Sequence, residues 1–161
     1  MLKRIRQYFF DRTAKKIARV SRYHSWDDIR TILVLFESDL QEKNAEVRAF
    51  VKALQTEGKK VVACCYVDKK KAETATLDHW IVFDRSQVNW LKRTKEEFIQ
   101  PLKTQFDVVM DMTETNCLPL KYVLLQSKSD FRCGKSSSDN SLYDFVIEMP
   151  SHPIDAKTGM P

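Results

Sequence analysis

Phe106-Asp107-Val108-Val109-Met110-Asp111-Met112, followed by Thr113-Glu114-Thr115-Asn116, decides how the chain is read. A short apolar run centred on paired valines is a strand covered on both faces, the kind found inside a parallel sheet. Asp111, Glu114 and three small polar residues then stand at the strand's end. In an open α/β sheet that is where ligands bind.

Downstream, Asn116 has the chemistry of an N-cap and Pro119 is tolerated in a first turn, so Leu118, Leu120 and 122–125 read as a buried helix. Asp130-Phe131-Arg132-Cys133-Gly134 follows as a short strand, and Tyr143-Asp144-Phe145-Val146-Ile147-Glu148-Met149 as a sixth after a polar loop. Residues 150–161 contain three prolines and little apolar content, which predicts a tail.

Upstream, Thr31-Ile32-Leu33-Val34-Leu35-Phe36 shows no alternation and predicts a central strand. Ser38 with Gln41, or Asp39 with Glu42, has capping-box spacing. Val47, Phe50, Val51 and Leu54 then recur at helical intervals, and Gly58 can end the helix with positive φ. Strands over 60–67 and 80–83 come next, then a second capping box at Thr94 and Glu97 before a helix that Pro101 must end.

Strands alternating with helices predict a three-layer, Rossmann-like α/β domain over 25–149, with a mostly parallel sheet of about six strands. The expected strand order is 3-2-1-4-5-6. That order makes 31–36 and 106–111 neighbours at the switch point. The ligand-binding candidates are therefore Glu37, Ser38 and Asp39 from one loop, and Asp111, Thr113, Glu114 and Asn116 from the other. Acids at such ends also cap the helices that begin there.

Residues 1–24 stand apart in charge. Lys3, Arg4, Arg6, Arg12, Lys15, Lys16, Arg19 and Arg22 face one acid, Asp11, a local +7 in a chain of net +5, so the remainder carries −2. The stretch 2–22 lacks Gly and Pro and reads as one helix with Leu2, Ile5, Phe9, Thr13, Ile17 and Val20 on one side and Phe10 at the margin. It is either a surface helix packed by that stripe, or a basic arm for an anionic membrane, nucleic acid or acidic protein. Its partner-binding candidates are Arg4, Arg6, Arg12, Lys15, Lys16 and Arg19.

Several chemistries are excluded. Three glycines, Gly58, Gly134 and Gly159, form neither a dinucleotide fingerprint nor a phosphate loop, and no G-x-S-x-G elbow exists. His24, His79 and His152 lack metal-ligand spacing, and no metal or cofactor is expected. Cys64 and Cys65 read as core, while Cys117 and Cys133 could approach one another if the fourth and fifth strands are adjacent. No apolar run reaches the ~20 residues of a membrane span, and the basic start lacks the apolar core of a secretory signal, so a cytoplasmic location is expected.

Taken with Ser86-Gln87-Val88-Asn89-Trp90-Leu91 and Phe131-Arg132-Cys133-Gly134, these strands resemble a family of short, functionally unassigned proteins from Bacteroidetes. That resemblance covers nearly the whole chain and implies a cytoplasmic bacterial protein, without catalytic residues to carry over. Phe106-Asp107-Val108-Val109-Met110-Asp111 and Arg132-Cys133-Gly134 are also similar to the N-terminal half of heptosyltransferase-type glycosyltransferases. The expected function is a non-catalytic binding or adaptor module using the basic helix. The alternative is a small enzyme or ligand-binding domain for a sugar, nucleotide or phosphometabolite at the carboxyl edge.

Overall fold

The computed structural model describes residues 1–38, 42–71, 80–135 and 140–148. At its centre is β1, Thr31–Glu37, whose interior residues are all buried. β2, Lys60–Val67, and β4, Gln105–Asp111, lie parallel on either side, so that Ile32 stands opposite both Val61 and Val108. β3, Ile81–Asp84, flanks β2, while β5, Lys128–Lys135, and β6, Phe145–Ile147, extend the sheet beyond β4. The order is 3-2-1-4-5-6 and every pairing is parallel, as the strand-helix alternation predicts.

Two-residue periodicity sorts the core into two layers. Leu33, Leu35, Cys64, Tyr66 and Val109 pack beneath α1 (Leu2–Lys16) and α4 (Leu118–Gln126), with Phe98 of α3 (Glu96–Ile99) beside them. Ile32, Val34, Phe36, Ala63, Cys65 and Val108 pack beneath Val47, Val51 and Leu54 of α2, Glu42–Thr56. Cys64 and Cys65 thus enter opposite layers. Burial pushes both thiols up, Cys65 to about 12, which suits packing and not reactivity. Gly58 closes α2 at φ +82, a conformation that L side chains rarely adopt.

The structure corrects the reading of the first helix. α1 stops at Lys16, and Ile17 is already extended. Beyond it, tertiary bonds replace helical ones: Arg19 and Ser21 bind the Asp144 carboxylate, and the Arg22 N–H donates to the Asp130 carbonyl at 2.8 Å. Phe10, placed at the margin, is the buried residue of α1, whereas Leu2, Ile5, Phe9, Ile17 and Val20 of the expected stripe remain exposed. The docked face runs through positions 3, 7, 10 and 14.

Smaller differences have local causes. Thr94 does not cap α3, because Lys95 takes that place and Thr94 bridges to Val88. A capping box forms instead at Asp84 and Gln87. Cys117, not Asn116, precedes α4, since the Asn116 amide is drawn to Gln7 at 3.1 Å. β5 is longer than expected and β6 shorter, because Tyr143 leaves the strand line to reach Asp111. Asp39 and Gln41, on which the expected capping boxes with Glu42 and Ser38 depend, and the 150–161 tail lie outside the described residues.

Asp144 ties the chain after α1 to the sheet. Burial pulls its carboxyl up, but hydrogen bonds from Arg19, Ser21 and the Arg132 N–H outweigh that and bring it to about 2. A value below the ~3.9 of an unfolded Asp means stabilisation that is complete above about pH 4 and lost as pH falls through about 2. Asp144→Asn should therefore cost about 1 kcal/mol at neutral pH, allowing for solvent screening. Urea titrations at neutral and acid pH should show the gap closing below about pH 2.

Candidate functional site

β1 and β4 adjoin, yet the chain after β1 enters α2 in one layer and the chain after β4 enters α4 in the other. Their loops part at the carboxyl edge and leave a cleft of about 610 Å³. Its floor is Cys117, Leu118 and Pro119 at the start of α4, and its walls include Glu37, Tyr66, Asp68, Thr115 and Asn116. The roof is α1, through Lys3, Arg6 and Gln7. The basic helix and the switch-point crevice are thus parts of one place.

Hydrogen bonds set this geometry. The Asn116 amide donates to Gln7 Oε1 at 3.1 Å, and Gln7 Nε2 donates to Asp11 Oδ1 at 2.8 Å. Arg6 Nε donates to the Trp90 carbonyl at 2.7 Å, holding α1 against the 89–93 loop. Lys92 enters the cleft wall from that loop with φ +67, while Asn89 Oδ1 accepts from the Leu91 and Arg93 N–H groups. The Thr115 hydroxyl donates to Glu37 across the β1–β4 gap.

The charges inside are uneven. Arg85 grips Asp68 at 2.7 and 3.1 Å and holds its carboxyl below the ordinary value despite partial burial. The Tyr66 hydroxyl donates to the same carboxylate at 3.0 Å, and burial with that bond pushes Tyr66 up. Burial, and then Glu37 and Asp111 nearby, push the Cys117 thiol up. Cys117 therefore stays a thiol at neutral pH, the wrong state for a nucleophile. With Asp68 neutralised by Arg85, Lys3, Arg6 and Lys92 leave the cleft net positive over Glu37.

Of the seven ligand candidates, Glu37 and Asn116 line this cleft. Ser38 is buried, with its N–H on the Tyr66 carbonyl at 2.9 Å. Asp39 lies outside the described residues. Asp111 and Thr113 turn inward: the Asp111 carboxyl accepts from the Thr113 N–H at 2.9 Å and from the Tyr143 hydroxyl at 2.5 Å. Burial raises the Asp111 carboxyl, against these bonds and the charge of Lys121, whose side chain is also buried. Glu114 pairs with Lys135 at 3.2 Å outside the cleft.

Of the six partner candidates, Arg6 serves the cleft and Arg19 is bound to Asp144, while Arg4, Arg12, Lys15 and Lys16 are exposed. Lys3, Gln7, Lys92 and Thr115 were not singled out from sequence. Lys3 and Gln7 become readable only once Phe10 fixes the docked face. Asp68 was legible as an acid at a strand end.

At the opposite edge, donor atoms of His24, Asp107 and Asp130 lie within 4.8 Å of one another, the one such group among the described residues. Asp107 Oδ2 accepts from the Arg30 and Thr31 N–H groups at 2.7 and 2.8 Å, and His24 meets Asp130 at 2.6 Å. These bonds account for the grouping as a clasp on the strand starts. Cys117 and Cys133 pack in opposite layers, so the sheet separates them.

The fold and cleft define a doubly wound α/β domain whose switch point is covered by an added basic helix. The chain belongs to a family of unknown function, DUF6913, whose model matches residues 3–158. Comparison with curated proteins and with solved structures returned no match.

Proposed function

We propose that this chain is a non-catalytic ligand-binding module, acting in the cytoplasm, whose switch-point cleft takes a compact anionic metabolite of the sugar-phosphate or nucleotide class. The observation that carries this reading is that α1 brings Lys3, Arg6 and Gln7 over the same cleft as Glu37, Thr115 and Asn116. Cations with hydroxyl and amide groups suit phosphate and sugar hydroxyls together. A cationic helix here supplies what the absent glycine loops supply elsewhere.

Thermal-shift measurements with inorganic phosphate, sugar phosphates and nucleoside diphosphates should find a stabilising member, since saturation at ~100 Kd adds about 2.7 kcal/mol. Lys3→Glu and Lys92→Glu should each lose that shift while keeping the unliganded midpoint. A midpoint unmoved by every member would end this reading.

The adaptor reading keeps a separate basis. Arg4, Arg12, Lys15 and Lys16 face away from the cleft and are exposed, so a partner can meet α1 from outside.

A further inference from the structure

The outer surface of α1 is unlike a solvated helix face. Gln7, Phe10 and Ala14 pack toward the domain and Lys3 lines the cleft, so 5, 8, 12 and 15 point outward, with 2, 9 and 16 beside them. The N-terminal part of this surface is apolar. Met1, Leu2, Ile5 and Phe9 are exposed, Tyr8 is 61% exposed, and Trp90, itself 59% exposed, stands edge-on to Phe9 at 6.3 Å. The C-terminal part is cationic, with Arg12, Lys15 and Lys16, and Arg4 lies on the first turn. The one acid of the helix, Asp11, accepts from Gln7. Apolar and aromatic side chains joined in one exposed patch, beside unopposed cations, mark a contact surface.

We propose that this face of α1, with Trp90, docks in plane on an anionic lipid surface. Leu2, Ile5 and Phe9 would enter the acyl boundary, Tyr8 and Trp90 would sit at headgroup level, and Arg4, Arg12, Lys15 and Lys16 would meet the lipid charges. Charge complementarity selects the lipid. Each Lys or Arg near such a surface contributes about 1 kcal/mol, and four are grouped on this helix. Residues 1–24 carry +7 and everything after them −2, so the positive charge that an anionic plane attracts is concentrated in the segment that holds α1. A nucleic acid would use the cations and the aromatic rings but leave Met1, Leu2 and Ile5 in water, which disfavours it. No helix among the described residues is long and apolar enough to cross a membrane, so the contact is peripheral. Because the inner face of α1 covers the cleft, docking leaves that site's lining untouched, and the two proposals stand or fall separately.

Co-sedimentation of the full chain with phosphatidylcholine vesicles holding about 30% phosphatidylserine should show binding at ~0.1 M salt that weakens at ~0.5 M, with little on phosphatidylcholine alone. Lys15→Glu/Lys16→Glu should weaken it about thirtyfold or more. Leu2→Ser/Ile5→Ser should weaken it about tenfold and remove the part that survives high salt. All four side chains are exposed or only partly covered, so melting curves near wild type confirm that the variants are folded. No sedimentation with the anionic vesicles, or binding unchanged in both double variants, overturns the proposal. Binding to single-stranded RNA or to a polyglutamate peptide with no vesicle binding also overturns it, and assigns the face to that partner.

Discussion

Replacing Phe10 with alanine is expected to destabilise the protein by about 3–5 kcal/mol and to release α1 from the sheet. Phe10 is the fully buried residue of α1 and stands edge-on to Tyr122, with ring centroids 5.1 Å apart. It joins the cluster that contains Leu120, Val123 and Leu124 of α4. Much of the rest of α1 is exposed or polar, so no second anchor of that size replaces it. Removing the ring leaves a cavity under a helix otherwise held by Arg6 on Trp90 and Gln7 on Asn116. Urea denaturation should show the loss, and limited proteolysis should cut within 1–16 at denaturant concentrations that leave the sheet intact. Phe10→Leu, which keeps most of the apolar volume, should recover most of the stability. An unchanged midpoint for Phe10→Ala would mean that α1 is not anchored there. The same variant should abolish any ligand-induced shift, because the cleft loses its roof.

Gly134→Ala should cost about 2–4 kcal/mol, for a reason specific to its neighbour. Gly134 pairs with Asp111 across β4 and with Val146 across β6. A Cβ there would lie 2.6 Å from Tyr143 Cε1 and 2.8 and 2.9 Å from Cδ1 and Cζ. The ring cannot retreat freely, because its hydroxyl donates to the buried Asp111 carboxyl at 2.5 Å. The substitution therefore sets overpacking against a buried carboxyl that loses a donor. Tyr143→Ala in the same chain opens the space, so the double variant should cost clearly less than the two single losses added together. Strict additivity would show that the ring is not what Gly134 accommodates.

How much of this was legible before folding depends on the range of each interaction. Strand identity and order were readable, because 31–36, 60–67 and 106–111 are apolar runs that only a doubly covered parallel sheet can bury. Helix capping read less well. Thr94 and Asn116 have capping chemistry, but Val88 and Gln7, both from other elements, draw them elsewhere. The stripe of α1 misled for a related reason. Leu2, Ile5 and Phe9 define the better apolar periodicity, yet Tyr122 and Leu120 offer one deep position, which Phe10 fills.

The candidate site divides along the same line. That a crevice opens after β1 and β4 followed from strand order alone, and Glu37 and Asn116 were found that way. Asp111, equally at the strand end, was lost to it because Tyr143 and Thr113 claim its carboxyl from within.

The amino-acid sequence by itself determined the sheet, the two apolar layers and the concentration of positive charge in the first 24 residues, since period, composition and charge are properties of local stretches. Only the tertiary structure decided that the charged helix lies over the switch point, with Lys3, Arg6 and Gln7 inward and the Leu2, Ile5 and Tyr8 surface outward. The rotation of a helix about its axis depends on which pocket the rest of the chain presents to it. That pocket is built from α4, more than a hundred residues away in sequence, and from the sheet beneath it.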